Sequence, residues 1–541
     1  MKDPEPFFSR MRPAIFLGAL CCLFLWGCKI GKKPENFLLI TLDTQRADTI
    51  GAYNPGSAHT PALDGLAAEG MLFEDCWSLI PITLPSHASL FFSEPPHKVK
   101  NYNNGQVIRK HRSRPSVVNL FRKNGLLTAG FVSLGVMGRQ FGLDEGFDVY
   151  EDQFPQGRWY LTAGEVNERV IPWLRENGRR NFFLWVHYSD PHDPYAPPDT
   201  PDDLRVFLNG EPVGSYCLSK YITYDLDLPL RKGRNEIIFE VDNPWEPNPD
   251  RFSARLDRML FDPDPESGEI ALDYFRGWFI RRDEGVFFFK DRSVLFVDSA
   301  DKPRDMTLTI RGKLLLPIEG VRDLYRREVE YMDSEIGRLF DTLEDLGLKE
   351  KTAVLVVGDH GEGLGERHNT FGDPHIGHIH YLNPIYQKVP LILRVPGSSK
   401  RGVHIAETVT LLDVAPTMAA MMGYKGLPHF MGRNLLDLKP GRPTDVFLET
   451  YKPEAVADRF SLYRFPWQLI YAPEPNTYEL YNILEDPDQR LNRFGDADVP
   501  DDIRALTDVL NAAVRDILRH KEDIPVDSKE EEMLRALGYI R

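Results

Sequence analysis

Four short stretches, far apart in this chain, hold the residue types that ester chemistry needs. Asp43 follows the apolar run Phe37-Leu38-Leu39-Ile40-Thr41-Leu42, and Thr83 opens Thr83-Leu84-Pro85-Ser86-His87. Asp190 and His192 sit in His187-Tyr188-Ser189-Asp190-Pro191-His192-Asp193-Pro194. Asp359 and His360 follow a second apolar run and lead into Gly361-Glu362-Gly363-Leu364-Gly365-Glu366. A hydroxyl nucleophile, hard-oxygen and imidazole metal ligands and a spare histidine together suit attack on a phosphorus or sulfur ester. Taken singly, each stretch has a plainer reading. Asp359-His360-Gly361 makes a polar turn after a strand, and Thr83 makes a helix cap.

The elements around these residues decide whether they can meet. From Asn36 to about Pro198, strand-like apolar runs alternate with amphipathic helices. Phe37 to Leu42, Leu127 to Ser133 and Phe182 to Tyr188 read as buried strands, Ala62 to Gly70 and Val166 to Asn177 as helices. The pattern resumes with a helical stripe (Tyr325, Val329, Met332, Ile336, Leu339, Phe340, Leu343, Leu346) ended by Gly347. A strand at Thr352 to Val357, another at Val389 to Val395 and a helix from Val409 to Met422 follow. Such alternation predicts an α/β fold whose mostly parallel sheet is flanked by helices on both faces. Sites in these sheets gather at the C-terminal strand ends, where Asp43, His187 and Asp359 all fall.

Between these halves the texture changes. From 201 to 316, short alternating runs such as Val206 to Leu208, Tyr224 to Leu230, Glu236 to Val241, Val286 to Phe289 and Met306 to Ile310 are separated by turn residues. They predict an inserted antiparallel β-sandwich. The expected division is a catalytic part over 36–200, the insertion over 201–316, a second catalytic part over 317–440 and a small α+β subdomain over 441–541.

Composition bounds the partners. The chain has 541 residues, 42% apolar and 27% charged, with a net charge of −16. That balance describes a globular protein large enough for several cores and argues against a nucleic-acid surface. At the N-terminus, Arg10 and Arg12 precede an apolar stretch from Ala14 to Trp26 that ends in Gly27-Cys28. The stretch is short for a membrane span and suits a signal peptide. Residues 1–28 therefore read as a lipoprotein leader, with Cys28 as the acylated residue and the body anchored outside the cytoplasmic membrane. A plain signal anchor is the alternative. Beyond the leader only Cys76 and Cys217 remain, too few and too distant for a disulfide scaffold or a thiolate metal site. No pattern specifies an oligomeric state.

Taken together and in order, the motifs resemble the sulfatase branch of the alkaline phosphatase superfamily. They are LLITLDTQRADTIGAY, TPALDGLAAEGMLFEDCW, TLPSHASLFF, HYSDPHDPYAPP, VGDHGEGLGERH, KVPLILRVPG, YELYNILEDP and MLRALGYI. The resemblance implies that Asp43, Asp359 and His360 ligate a catalytic divalent cation. That donor set suits Zn2+ or Mn2+ better than Ca2+. It places Thr83 at the nucleophile position, ligated to that metal, and His192 where a histidine contacts the ester or protonates the leaving group. It also suggests a second metal shared by Asp190 and His378. His87 stands where the family has an arginine, which implies a weaker, pH-dependent anion clamp. His368, His375 and His380 crowd nearby and read as scaffolding.

The departures from the family pattern matter as much. True sulfatases carry Cys or Ser at the Thr83 position and oxidise it to formylglycine. Threonine is not expected to undergo that conversion. Thr44 replaces the second aspartate of the usual Asp-Asp pair, which removes an oxygen ligand. Threonine is the nucleophile in phosphoryl-transferring relatives, so a phosphate ester fits as well as a sulfate. The expected activity is metal-dependent hydrolysis of a sulfate or phosphate ester on a small anionic or glycan substrate. A phosphoethanolamine-type transferase and an inactive glycan-binding lipoprotein are the alternatives.

Overall fold

The strand Asn36–Leu42 lies between two parallel neighbours, Thr352–Gly358 and Phe182–Tyr188, and every residue of the three is buried. Strands covered on both faces read as continuous apolar runs, which is why these three were legible. The computed structural model describes residues 33–522 except 109–113, 156–157, 246–251, 276, 282–285, 300, 369–373, 380, 440–443 and 452–456. The leader with Cys28, His380 and the terminal MLRALGYI lie outside the described residues.

The main sheet has eight strands. Their order is Val403–Ile405, Met71–Phe73, Leu391–Arg394, Thr352–Gly358, Asn36–Leu42, Phe182–Tyr188, Leu127–Phe131 and Val149–Glu151. All neighbouring pairs are parallel except those made by Leu391–Arg394, which runs against both its partners. Alternate residues face opposite ways. Phe37, Leu39, Trp185 and Leu355 join one core with the helices Thr83–Phe92 and Val414–Met421. Leu38, Ile40, Val186 and Val356 join the other with Ala163–Asn177 and Ile318–Asp345. This is the expected α/β architecture.

Some expectations shift in detail. The long helix Ile318–Asp345 buries Tyr325, Val329, Met332, Ile336, Leu339 and Leu343. Phe340 is only partly buried, and Leu346 caps the helix end and is exposed. The helix expected from Val409 begins later. Val409–Thr410 is a short strand paired with Cys76–Trp77, and Thr410 and Asp413 form a capping box that starts the helical turns.

Between Leu204 and Leu314 two five-stranded antiparallel sheets close on one apolar core that includes Leu228, Phe239, Leu256, Leu295 and Leu308. Near the C-terminus a four-stranded antiparallel sheet, Val446–Thr450, Arg459–Arg464, Trp467–Ala472 and Thr477–Asn482, packs beside the helix Leu506–His520. Cys76 and Cys217 are buried free thiols. No described helix is long and apolar enough to cross a membrane.

Register now fixes the site. Leu42 stands opposite both Gly358 and Tyr188. Asp43 and Asp359 therefore leave their strands at one level of the sheet edge. The amide of Asp43 bonds to the Tyr188 carbonyl at 2.9 Å, and that of Asp359 to the Leu42 carbonyl at 3.1 Å.

Candidate active site

Asp43, Asp359 and His360 converge at this edge, each offering a ligand atom within 4.8 Å of the others, and all three are fully buried. Asp359 Oδ1 accepts the backbone N–H of Thr44 at 3.2 Å and of His360 at 2.6 Å, which leaves Oδ2 for the site. Thr44 aims its N–H there from a left-handed backbone, φ 53°. Such a conformation in a β-branched residue costs roughly 1–3 kcal/mol. Its hydroxyl donates to the Asp43 carbonyl at 2.8 Å.

His360 Nδ1 donates to the Gly361 carbonyl at 3.1 Å, which puts the ring's lone pair on Nε2. Thr83 Oγ1 lies 3.5 Å from that nitrogen. Thr83 is the first residue of its helix, where unpaired N–H groups and the dipole favour a developing negative charge. Asn104 Oδ1 accepts one of those N–H groups, from Leu84, at 2.9 Å. Ser86, one turn on, donates to the Asp359 carbonyl at 2.7 Å and ties the helix to the carboxylate loop.

Both oxygens of Asp43 and Oδ2 of Asp359 are buried and take no hydrogen bond. Three orphaned carboxylate oxygens beside an imidazole lone pair are the donor set a divalent cation requires, so the residues fit one. Electrostatics agree. Burial, reinforced by the charge of Asp43, holds the Asp359 carboxyl far above its usual range. Burial also raises Asp43, but the His187 contact and the charges of His192 and His360 outweigh it and bring the group below its usual range.

Residues 35–424 match the family described as Sulfatase. This chain belongs to the sulfatase family. It is 21% identical to an N-acetylglucosamine-6-O-sulfatase of Bacteroides thetaiotaomicron over 96% of this chain and 93% of that protein. The phosphonate monoester hydrolase of Agrobacterium radiobacter shares the fold at a TM-score of 0.57 and 15% identity, covering 90% of this chain and 96% of that one. A protein solved with its substrate D-glucosamine-2-N,6-O-disulfate superposes at a TM-score of 0.58 and 16% identity, over 92% of this chain and all of that one. Membership makes the chain an ester hydrolase.

Other residues of this sulfatase-family site fall where the sequence did not place them. His87 was expected as a pH-dependent anion clamp, yet both its nitrogens are engaged. Nδ1 donates to the Thr83 carbonyl at 2.8 Å. Trp185 Nε1 donates to Thr41 Oγ1 at 2.9 Å, so the Thr41 hydroxyl turns its own proton to His87 Nε2 at 3.0 Å. Burial depresses the imidazole to about 3. His87 is therefore a neutral brace beneath Thr83, because a buried ring with two satisfied nitrogens has nothing to gain from a charge.

Asp190 and His378 do not join the three-residue ligand set. Asp190 Oδ1 accepts the Ala163 N–H at 2.9 Å, and His378 Nδ1 meets Glu362 Oε2 at 2.8 Å. The His378 ring lies over that of His360, centroids 4.4 Å apart, and His192 is 5.4 Å from His378. His375 Nδ1 meets the Tyr386 hydroxyl at 3.1 Å, as scaffolding would.

Two residues went unassigned in the sequence although their motifs were in view. His187 Nδ1 meets the Ser133 hydroxyl at 2.8 Å, and its Nε2 lies 3.3 Å from Asp43 Oδ2. Glu362 is buried, takes the Tyr195 hydroxyl at 2.9 Å and is raised to about 8 by burial despite the His192 charge. A histidine near a strand end facing an aspartate strand was the available signal for the first.

Asp190 makes a stability prediction. Burial, with Glu335 and Glu165 nearby, raises its carboxyl to about 7 against about 4 unfolded. Its contribution is complete below pH 4 and is lost as pH rises through 7. Asp190→Asn keeps the acceptor for Ala163 and removes the titration. Relative to the parent, the variant should gain ~1–3 kcal/mol of stability between pH 4 and pH 8, measured by denaturation at each pH. Parallel melting curves across that range would refute this.

Proposed function

We propose that this protein is a divalent-metal-dependent hydrolase of sulfate or phosphate esters that uses unmodified Thr83 as its nucleophile. The observation that carries the reading is the set of three unpartnered carboxylate oxygens on Asp43 and Asp359, with His360 Nε2 3.5 Å from Thr83 Oγ1. Asp43, Asp359 and His360 would hold the cation. When bound, it supplies positive charge that acidifies a neighbouring hydroxyl and offsets charge on the ester oxygens.

The chain's own residues do the rest. As Thr83 Oγ1 bonds to phosphorus or sulfur, the bond to the substrate's leaving oxygen breaks and the alcohol departs, and water then hydrolyses the threonine ester to release phosphate or sulfate. The helix N-terminus and the His87 brace hold Thr83 in place for both steps. His192 Nδ1 donates to the Asp193 carbonyl at 2.6 Å, which fixes the ring and directs Nε2 as the proton-transferring atom toward the leaving group. His187 orients Asp43, and Glu362 orients His378. Full burial of the ligand residues keeps water from screening these charges.

The relatives favour a small anionic or sulfated-glycan substrate. One carries the name of a sugar sulfatase, and another was solved with a disulfated glucosamine. The phosphonate ester hydrolase among the structural neighbours keeps phosphorus esters in play. The test is metal analysis of purified protein followed by turnover of matched aryl sulfate, phosphomonoester and phosphodiester substrates. Absence of turnover on all three with the metal bound would remove the reading. Anchoring at Cys28 outside the cytoplasmic membrane belongs to the same proposal. Metabolic acyl labelling that persists in Cys28→Ala would remove that part.

A further inference from the structure

The chain enters its main sheet at one pole and does its chemistry at the other. The described residues begin at Lys33, whose Nζ lies 4.5 Å over the Tyr424 ring. The Glu35 amide bonds to the Lys351 carbonyl at 2.9 Å, and the strand Asn36–Leu42 follows at once. These contacts fix the entry point at the N-terminal ends of Asn36–Leu42 and Thr352–Gly358. Asp43 and Asp359 leave the C-terminal ends of the same two strands.

The flanking elements respect this polarity. A helix that leads directly into a parallel strand runs against it, so its last turn lies at the strand's N-terminal end. Val117–Lys123 ends just before Leu127–Phe131, and Ile318–Asp345 just before Thr352–Gly358. Phe121 meets the Tyr424 ring at 5.8 Å, so exposed Lys123 stands close to Lys33. The β insertion occupies the opposite pole. It departs after the C-terminal end of Phe182–Tyr188, returns at the first turn of Ile318–Asp345, and reaches the site loop where Lys313 Nζ lies 3.3 Å from Asp193 Oδ2.

Lengths then decide which pole a membrane can touch. Cys28 and Lys33 are five residues apart, a reach of roughly 17 Å at full extension. From Asn36 to Asp43 the strand alone advances roughly 23 Å, and the insertion adds to the body on the far side. With the site turned to the bilayer, Lys33 would stand farther from the lipid than the tether reaches. We propose that the protein stands on its anchoring membrane with the pole of Lys33 and Lys123 against the lipid and the Thr83 centre facing away. Its esters then arrive from the aqueous side, and lipid headgroups of that membrane are not substrates. The inference rests on acylation of Cys28 and deepens the ester-hydrolase reading.

The test uses full-length lipidated protein in phosphatidylcholine vesicles with nitroxide-labelled headgroups. A fluorophore is attached through Lys123→Cys or, on the insertion, through Leu260→Cys, where the native side chain is 51% exposed. The parent, whose Cys76 and Cys217 are buried, reports background labelling. The Lys123 label should lose most of its emission and the Leu260 label almost none. Flotation with the vesicles but without preferential quenching at Lys123 overturns the orientation alone. Failure to float removes the acylation reading and this inference with it. A second arm offers an aryl phosphate and an aryl sulfate either free in solution or carried on a diacylglycerol in the protein's own, dilute vesicles. Anchored protein should cut the free ester and spare the lipid-borne one until detergent disperses the bilayer. Equal turnover of both in intact vesicles overturns the substrate assignment. Absence of turnover even in solution counts against the ester-hydrolase reading, while the quenching still decides the orientation.

Discussion

Thr83→Ala should abolish turnover, lowering kcat/KM by roughly 10⁴–10⁶-fold on whichever ester the protein cleaves, as removal of a covalent nucleophile does elsewhere. The loss should appear in kcat with little change in substrate affinity, because the ligands, His192 and the helix N-terminus remain. Thr83→Ser keeps the hydroxyl at the same helix position, 3.5 Å from His360 Nε2 in the parent, and should retain measurable activity. Serine lacks only the methyl group that fixes the rotamer. Trapping supplies the second readout. Quenched parent enzyme should carry a phosphate or sulfate on the peptide containing Thr83, and the alanine variant should not. Full activity in Thr83→Ala would transfer the attack to water or another group and leave the rest of the site in need of a different mechanism.

The second large effect is on the metal, which should raise activity and stability together. Chelation should abolish turnover, and restoring the cation should return it. The cation should also stabilise the fold, by about 2.7 kcal/mol when present at a hundred times its Kd. Asp359→Asn separates the two effects. Its Oδ1 still accepts from Thr44 and His360, while an amide replaces the orphaned Oδ2 that faces Asp43. The metal-free variant should therefore be more stable than the metal-free parent by ~1–3 kcal/mol, since a carboxyl whose ionisation is opposed by burial and by Asp43 has been removed. It should show no thermal response to the cation and no turnover. A metal-free Asp359→Asn that melts well below the metal-free parent would show that the carboxylate is structural rather than held for a cation.

Not everything about the site could be read without coordinates. The ordered motifs located Asp43, Thr83, Asp359 and His360 because each lies at a strand end or helix start, and those boundaries are marked by changes of local pattern. The role of His87 was not readable. Its environment comes from Thr41 and Trp185 on two other strands, and spacing along its own helix says nothing about them. For the same reason the sequence did not show the partner of Asp190 Oδ1, the Ala163 amide, which is supplied by a helix start 27 positions earlier in the chain.

The same division runs through the fold. By itself the sequence determined the buried central strands, the helical stripe over Tyr325–Leu343, the antiparallel character of the middle segment and the family, because hydrophobic period and motif order are local properties of a chain. Only the tertiary structure decided the reversed direction of Leu391–Arg394 and the edge strands Met71–Phe73, Val149–Glu151 and Val403–Ile405, each too short to carry a period. It alone decided the register that levels Asp43 with Asp359 and the neutral state of His87. These depend on which distant groups share a low-dielectric space, and that is settled when strands pair and surfaces exclude water.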